Sequence, residues 1–463
     1  MKKVIYILIF TLGFISCSKH HSNNKILIVG NNPDLVNKKI TIENPILNKE
    51  VIADSDGKFI IEMDASFPQY FRLNAGVSKM IYLLPGDTLI IEKNSVSSTK
   101  SNDLNSYLEK WNNQLNGLID TIDQNYYNKK PVDFYQTLVS YYKVLTEPLN
   151  NLEKSNADIT PEFLRLEKNR IMYLCYNDLI DYEKGKTIET GNVQKFDNGY
   201  YAYKSDIDFN DSTLLQYNEY TNFISNYVIL ESIKRKKTIK IEKIKHGDET
   251  EIILDIISNN ITDRTVRNKI LFDMMKIQCD RLQVGSIQFA HFKSLCSNNE
   301  FISTIDNLYQ KYSVLLPGRE APDFSFLDIE GKKHSLSDFK GKYLLIDIWG
   351  IKCGPCLREM PKLKELKQKY KDEDISFICI NFDEPREMWL KMLAKLDLHG
   401  IQLMVDKSTG KKFKKDYLIN VFPTYILIDK EGKFINARAP YPTDGLEQLL
   451  DNLFNKSQKM ASL

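Results

Sequence analysis

Tyr343-Leu344-Leu345-Ile346-Asp347-Ile348-Trp349-Gly350-Ile351-Lys352-Cys353-Gly354-Pro355-Cys356 is an apolar run that ends in a turn carrying two cysteines. The run predicts a strand over 343–349, and the residues beyond it predict a helix over 355–371. A C-x-x-C at such a strand-to-helix turn has a physical use. The first turn of a helix leaves N–H groups unpaired, and its dipole favours negative charge, so a thiolate is stabilised there. Cys353 begins the turn and is expected at the surface. Cys356 lies three residues on, so the two sulfurs share a face and can close a disulfide. Pro355 supplies a φ already set for a first helical turn.

Two other readings of C-x-x-C carry less. Half of a zinc site needs a second ligand pair, and the chain has no second C-x-x-C and no H-x-x-x-H. Two structural cysteines would not need Gly354-Pro355 between them. The chemistry that remains is thiol–disulfide exchange, with Cys353 as nucleophile and Cys356 as the resolving thiol. Asp347 belongs to the same unit. An acid in a central strand is buried on both faces, has a raised pKa, and can relay a proton to or from Cys356.

Residues 318–455 resemble the thioredoxin superfamily, in the envelope-facing, membrane-anchored branch of TlpA- and ResA-like oxidoreductases. The matching pieces are Gly318-Arg319-Glu320-Ala321-Pro322-Asp323-Phe324, Gly331-Lys332, Ser335-Leu336-Ser337-Asp338-Phe339-Lys340-Gly341-Lys342, the CGPC turn, Glu359-Met360-Pro361 and Val421-Phe422-Pro423-Thr424. Lys352 departs from the pattern, which usually has Trp there. The resemblance implies that Asp347 is the family's buried acid, that Glu359 is the acid of ResA-like members, and that Pro423 is the cis-proline beside the dithiol. It also places Trp349, Lys352, Phe422 and Thr424 as substrate contacts. The A-P-D-F segment is shared with peroxiredoxins. Those carry T-x-x-C where this chain has C-x-x-C, so a peroxidase is the lesser reading.

The implied fold for 318–463 is a thioredoxin-like α/β domain, a mixed central sheet with helices on both faces. Its expected order is strands at 343–349, 375–381, 402–405, 424–428 and 433–436, with helices at 355–371, 385–396, 409–415 and 443–455. The remainder divides by period. Residues 26–95 alternate over short apolar runs separated by turns such as Asp54-Ser55-Asp56-Gly57, and read as a small all-β domain. That segment resembles a β-domain of unknown function that precedes thioredoxin modules in similar lipoproteins. Residues 96–101 read as a linker. Residues 102–312 shift to helical spacing, with helices near 131–154, 213–234, 249–259, 262–281 and 286–312. Tyrosines such as Tyr126, Tyr200 and Tyr203 either line a groove or pack between helices.

The N-terminus reads as a targeting segment. Lys2 and Lys3 precede an apolar core over 4–15, too short to span a bilayer, which ends at Ser16-Cys17. This resembles a bacterial lipoprotein signal over 1–17, with Cys17 the lipidated residue and 18–25 a polar tether. The chain is 463 residues long with a formal net charge of +2. Lys2 and Lys3 account for that excess, so nucleic acid is not an expected partner. Expected partners are disulfide-bonded proteins, a membrane electron donor and the membrane itself, reached through the lipid. No GxGxxG, Walker loop or metal cluster suggests a cofactor. Beyond Cys17 and the CGPC pair, Cys175, Cys279, Cys296 and Cys379 sit in apolar settings and read as buried thiols, with a Cys279–Cys296 bridge left open. A second functional reading stands beside the enzyme: a client- or ligand-binding lipoprotein in which the thioredoxin module is auxiliary.

Overall fold

The computed structural model describes residues 25–461, apart from 45–46, 66–67, 94, 121–125, 156–158, 198, 239–246, 383–384 and 406. The signal segment, the greater part of the tether and the lipidation site at Cys17 therefore lie outside the described residues. The chain divides into two compact units. One holds the described residues up to 186 with 195–207 and 211–223, and the other holds 187–194, 208–210 and everything from 224 onward.

The first unit opens with eight strands: β1 (Lys25–Asn31), β2 (Lys39–Asn44), β3 (Leu47–Ile52), β4 (Lys58–Asp64), β5 (Gln69–Ala75), β6 (Val77–Leu83), β7 (Thr88–Glu92) and β8 (Val96–Ser98). They form two four-stranded sheets, ordered β4-β1-β7-β8 and β3-β2-β5-β6. Alternate residues such as Ile26, Ile28, Ile40, Phe71 and Leu89 meet in one buried core. The Asp54 turn joins β3 of one sheet to β4 of the other, so it is a turn between sheets and not a hairpin. Its carboxylate accepts from the N–H groups of Asp56 and Lys58, and Gly57 has φ +77, where an added Cβ would strike the Asn32 carbonyl.

The expected linker at 96–101 is a correction. Val96–Ser98 is a strand paired antiparallel with β7. The residues after it are fastened by the buried carboxylate of Asp87, which accepts from Thr99 Oγ1 and Lys100 N, both at 2.9 Å, and from Ser101 Oγ. A polar run can thus be ordered when its hydroxyls and N–H groups satisfy a buried acid.

Three helices follow: α1 (Asn102–Asp120), α2 (Pro131–Ser155) and α3 (Pro161–Glu189). A fully buried ion pair on α3 holds α1 against it. Arg170 Nε and Nη2 reach Glu167 at 2.7 and 2.8 Å, its guanidinium lies 3.8 Å over the Trp111 ring, and Tyr107 donates to the same carboxylate. The bidentate geometry offsets the desolvation of both charges. Tyr126, Tyr200 and Tyr203 are buried, so these three pack in the interior.

The helices α4 (Asn218–Thr238), α5 (Asp248–Asn260), α6 (Arg264–Asp280), α7 (Ser286–Leu295) and α8 (Asn299–Ser313) come next. The single helix expected over 286–312 is two. The chain breaks at Cys296-Ser297-Asn298, and Asn298 Oδ1 accepts from the N–H groups of Glu300 and Phe301 as the cap of α8. Cys279 and Cys296 are both free and buried, so the open bridge is not formed.

The second unit ends in an α/β domain: β9 (Ser325–Asp328), β10 (Lys333–Ser335), β11 (Tyr343–Trp349), α9 (Gly354–Lys369), β12 (Ile375–Phe382), α10 (Arg386–Leu396), β13 (Ile401–Val405), α11 (Lys407–Asp416), β14 (Thr424–Ile428), β15 (Phe434–Ala439) and α12 (Glu447–Ala461). The sheet order is β10-β9-β13-β12-β11-β14-β15. β11 is parallel to β12 and antiparallel to β14, so the sheet is mixed. Residues of α9, α10 and α12 share one core with Leu345, Trp349, Tyr425 and Leu427. Phe413 of α11 packs with Phe382 on the opposite face. This is a thioredoxin-like fold with helices on both faces. β9 and β10 are additional to the expected strands; they extend the sheet beyond β13.

Candidate active site

The turn after β11 is built by its own residues. Cys353 is the N-cap of α9, with extended φ/ψ, and its sulfur accepts from Cys356 N at 3.1 Å. Cys353 is half-buried while Cys356 is 1% exposed. The two are joined as a disulfide with their Cα atoms 5.2 Å apart. One sulfur is therefore presented at a helix N-terminus and the other is held beneath it, an asymmetry that suits attack by the first and resolution by the second.

The Phe422-Pro423 peptide bond is cis. Phe422 lies beside the turn: a methyl group built on Gly350 would come within 3.7 Å of its ring. Thr424 is buried and its hydroxyl donates to Val421 O at 2.8 Å, so that side chain is used within the loop. Lys352 is exposed. Trp349 is fully buried in the core under the turn. It shapes the site from below and does not reach its surface, which corrects its place among the substrate contacts. Glu359 is held by the segment before α12, accepting from Thr443 N at 3.0 Å and from Thr443 Oγ1 at 2.8 Å.

Asp347 is 3% exposed, and its Oδ1 has no hydrogen-bond partner. Its register partners are Cys379 on β12 and Tyr425 on β14. Burial raises its pKa to about 6. The nearby Lys367 ammonium and a hydrogen bond with Cys379 pull it back down, and the Glu359 charge pushes it further up. Burial pushes the Cys379 thiol up to about 11. Lys367 Nζ lies 3.2 Å from Cys379 Sγ. Burial disfavours this ammonium, but the Cys379 and Asp347 charges more than offset that and hold its pKa above the usual lysine value.

Lys367 and Cys379 were not read from the sequence as part of the site. A signal for Lys367 was present: Cys356, Met360, Leu363 and Lys367 fall on one helical stripe, and the first three are buried. Val421 was missed too. It is an apolar side chain, 62% exposed, immediately before the Phe422-Pro423 bond.

A redox-active dithiol at a helix start, on a mixed sheet with a cis-proline loop beside it, defines a thiol–disulfide exchange protein of thioredoxin-like fold. A family model described as Redoxin matches residues 316–450. The chain is 41% identical over 137 residues to thiol-disulfide oxidoreductase ResA of Bacillus thuringiensis subsp. konkukian, covering 29% of this chain and 78% of that protein. It is 33% identical over 132 residues to thioredoxin-like protein YneN of Bacillus subtilis, covering 27% of this chain and 75% of that one. A crystal structure of the thioredoxin domain of a thiol-disulfide oxidoreductase from Bacteroides vulgatus is similar at 31% identity, over 30% of this chain and 98% of that one, with a TM-score of 0.29. The chain belongs to the ResA-like thiol–disulfide oxidoreductases of the thioredoxin superfamily.

Proposed function

We propose that this chain is a lipid-anchored reductase of protein disulfides in a bacterial cell envelope. The observation that carries the redox reading is the asymmetry of the two sulfurs, Cys353 half-buried at the cap of α9 and Cys356 sealed under it. In the reduced enzyme the Cys353 thiolate attacks a substrate disulfide. One substrate sulfur leaves as a thiolate and the other stays bound to Cys353. Cys356 then gives its proton to Asp347 and attacks Cys353 Sγ. The second substrate thiol departs, and Cys353–Cys356 becomes the disulfide. The substrate gains two electrons and the enzyme loses them, so a membrane electron donor must return them. Phe422, beside the turn, together with Val421, Pro423 and Lys352, makes the proposed substrate contacts, with the loop backbone offered as a strand edge.

The direction follows from what stabilises the Cys353 thiolate. Gly354 and Pro355 add no side-chain donor between the cysteines. An exposed cation such as Lys352 is screened and contributes little. We expect a potential nearer about −270 mV than about −120 mV, the values of a reductase and a strong oxidant. Equilibration of the protein against glutathione and dithiothreitol buffers measures it, and a value above about −180 mV would make the chain an oxidase or isomerase. Two variants test the roles. Cys356→Ser should accumulate mixed disulfides through Cys353, and Cys353→Ser should form none. The envelope location rests on the N-terminal signal. Cys17→Ala should move the protein from the membrane fraction to the soluble one, since among the described residues no helix is long and apolar enough to cross a membrane.

A further inference from the structure

β6 is an edge strand, the last in the order β3-β2-β5-β6. Along an antiparallel strand the side to which a residue's N–H and C=O point alternates. The register pairs Tyr70 with Tyr82, Arg72 with Met80 and Asn74 with Ser78. Tyr70 N points away from β6, to Gln216 Oε1, and Arg72 is paired with Glu43 of β2. Tyr82, Met80 and Ser78 therefore carry their N–H and C=O groups on the outer edge of β6.

At Tyr82 that edge is already answered. The Asn105 carboxamide accepts from Tyr82 N at 2.7 Å and donates to Tyr82 O at 3.0 Å, as a neighbouring strand's peptide group would. Covering an edge with a helix is a common protection, but α1 supplies this cover at Tyr82. By Met80 and Ser78 the edge gives onto a cavity of about 380 Å³. Its far wall is a face of α1 carrying Asn105, Glu109, Asn112, Asn113 and Asn116, at helical spacings that keep them on one side. Each carboxamide both donates and accepts, which matches a backbone amide. No aromatic ring is among the lining residues to stack a sugar or a base.

We propose that this cleft receives an extended polypeptide segment, which pairs as an added strand with Met80 and Ser78 while the α1 amides take its outer backbone groups. Asn105 is the pattern for the occupant. A main chain supplies the same donor–acceptor pair at alternate residues along β6. The exposed Lys79–Glu109 ion pair, 3.3 Å apart at the cleft, costs little to displace. Recognition of backbone makes the site tolerant of sequence, as a reductase of varied proteins would need. The binding claim is independent of the redox site.

The probe is a short, cysteine-free, fluorescein-labelled peptide of repeating Ser-Thr-Val, titrated with the oxidised full chain so that no mixed disulfide contributes. Anisotropy should rise on binding. The same peptide N-methylated at alternate residues should bind roughly tenfold more weakly or worse, because the groups meeting β6 are blocked. A chain carrying Asn112→Ala and Asn116→Ala, both on the helix surface, should lose a similar factor while reducing glutathione disulfide at an unchanged rate. Met80→Pro, which removes one edge N–H, is a further variant whose folding is checked by circular dichroism and thermal melting of the full chain. Equal binding of the two peptides, unchanged binding to the Asn variant, or no anisotropy change would overturn the proposal. Sedimentation showing a dimer that dissociates in Met80→Pro would overturn it in favour of a second copy of the chain.

Discussion

Asp347 is a carboxyl group poised near the pH at which the enzyme must work. With a pKa of about 6 it is mostly ionised at pH 7, the state that its proposed role as acceptor of the Cys356 proton requires. Release of trapped substrate should therefore slow as pH falls through about 6, in single-turnover measurements. Asp347→Asn should slow that step by roughly 10²–10⁴-fold and flatten its acid limb, leaving the first attack by Cys353 intact. The same shift affects stability. The folded carboxyl holds its proton more tightly than the unfolded one, whose value is 3.8. Its relative stabilisation is full below about pH 4 and is lost as pH rises through about 6, a penalty of about 3 kcal/mol at neutral pH. Asp347→Asn should thus melt higher than the parent at pH 7 and show no such gain at pH 3.5. We propose that Lys367, whose ammonium lowers the Asp347 pKa, acts through that acid as a positioning residue. Lys367→Met removes the cation that restrains the acid, so the acid limb should move to higher pH, and Lys367→Arg should restore it in part. Asp347 was legible because an acid stands out in an apolar run. Lys367 was fainter, because α9 carries Lys362, Lys364, Lys367 and Lys369, and only its place on the stripe of Cys356, Met360 and Leu363 marks it as the one that turns inward.

At the scale of elements, legibility followed the length and apolarity of each run. β11 has seven residues with six of them buried, and its strand is plain in the sequence. β9 and β10 have four and three residues and half-polar faces. Their pairing with β13 and with each other comes from the tertiary arrangement, which no local pattern announces. β8 was hidden for a related reason: 96–101 looks like a linker until Ser97 and Ser98 are seen paired with β7 and Thr99 and Ser101 bonded to Asp87. The division of 286–312 was readable in hindsight from Asn298, since Asn is a preferred cap. Asn298→Ala should cost about 1 kcal/mol. Hydrogen exchange in the first turn of α8 would report it, with protection falling roughly fivefold there and little elsewhere.

Across the whole molecule, the region that matches the family is the C-terminal third, and the relatives it matches consist largely of that region. A fragment of residues 318–463 should therefore reduce a small disulfide within about threefold of the full chain's rate. Loss of that activity in a folded fragment, checked by circular dichroism, would assign the preceding residues a part in the chemistry. The sulfurs of the chain also differ in address. Cys175, Cys279, Cys296 and Cys379 are all buried and unbridged, and burial raises the pKa of each. They are reservoirs of reducing equivalents that the fold keeps out of circulation. An alkylating reagent offered to the folded, reduced protein should therefore spare them, along with Cys356 at 1% exposure, and mark Cys353 alone among the described residues. The interior packing that isolates those four thiols thus turns the chain into a hook with a single barb, suited to drawing its own clients out of an oxidising mixture without protecting-group chemistry.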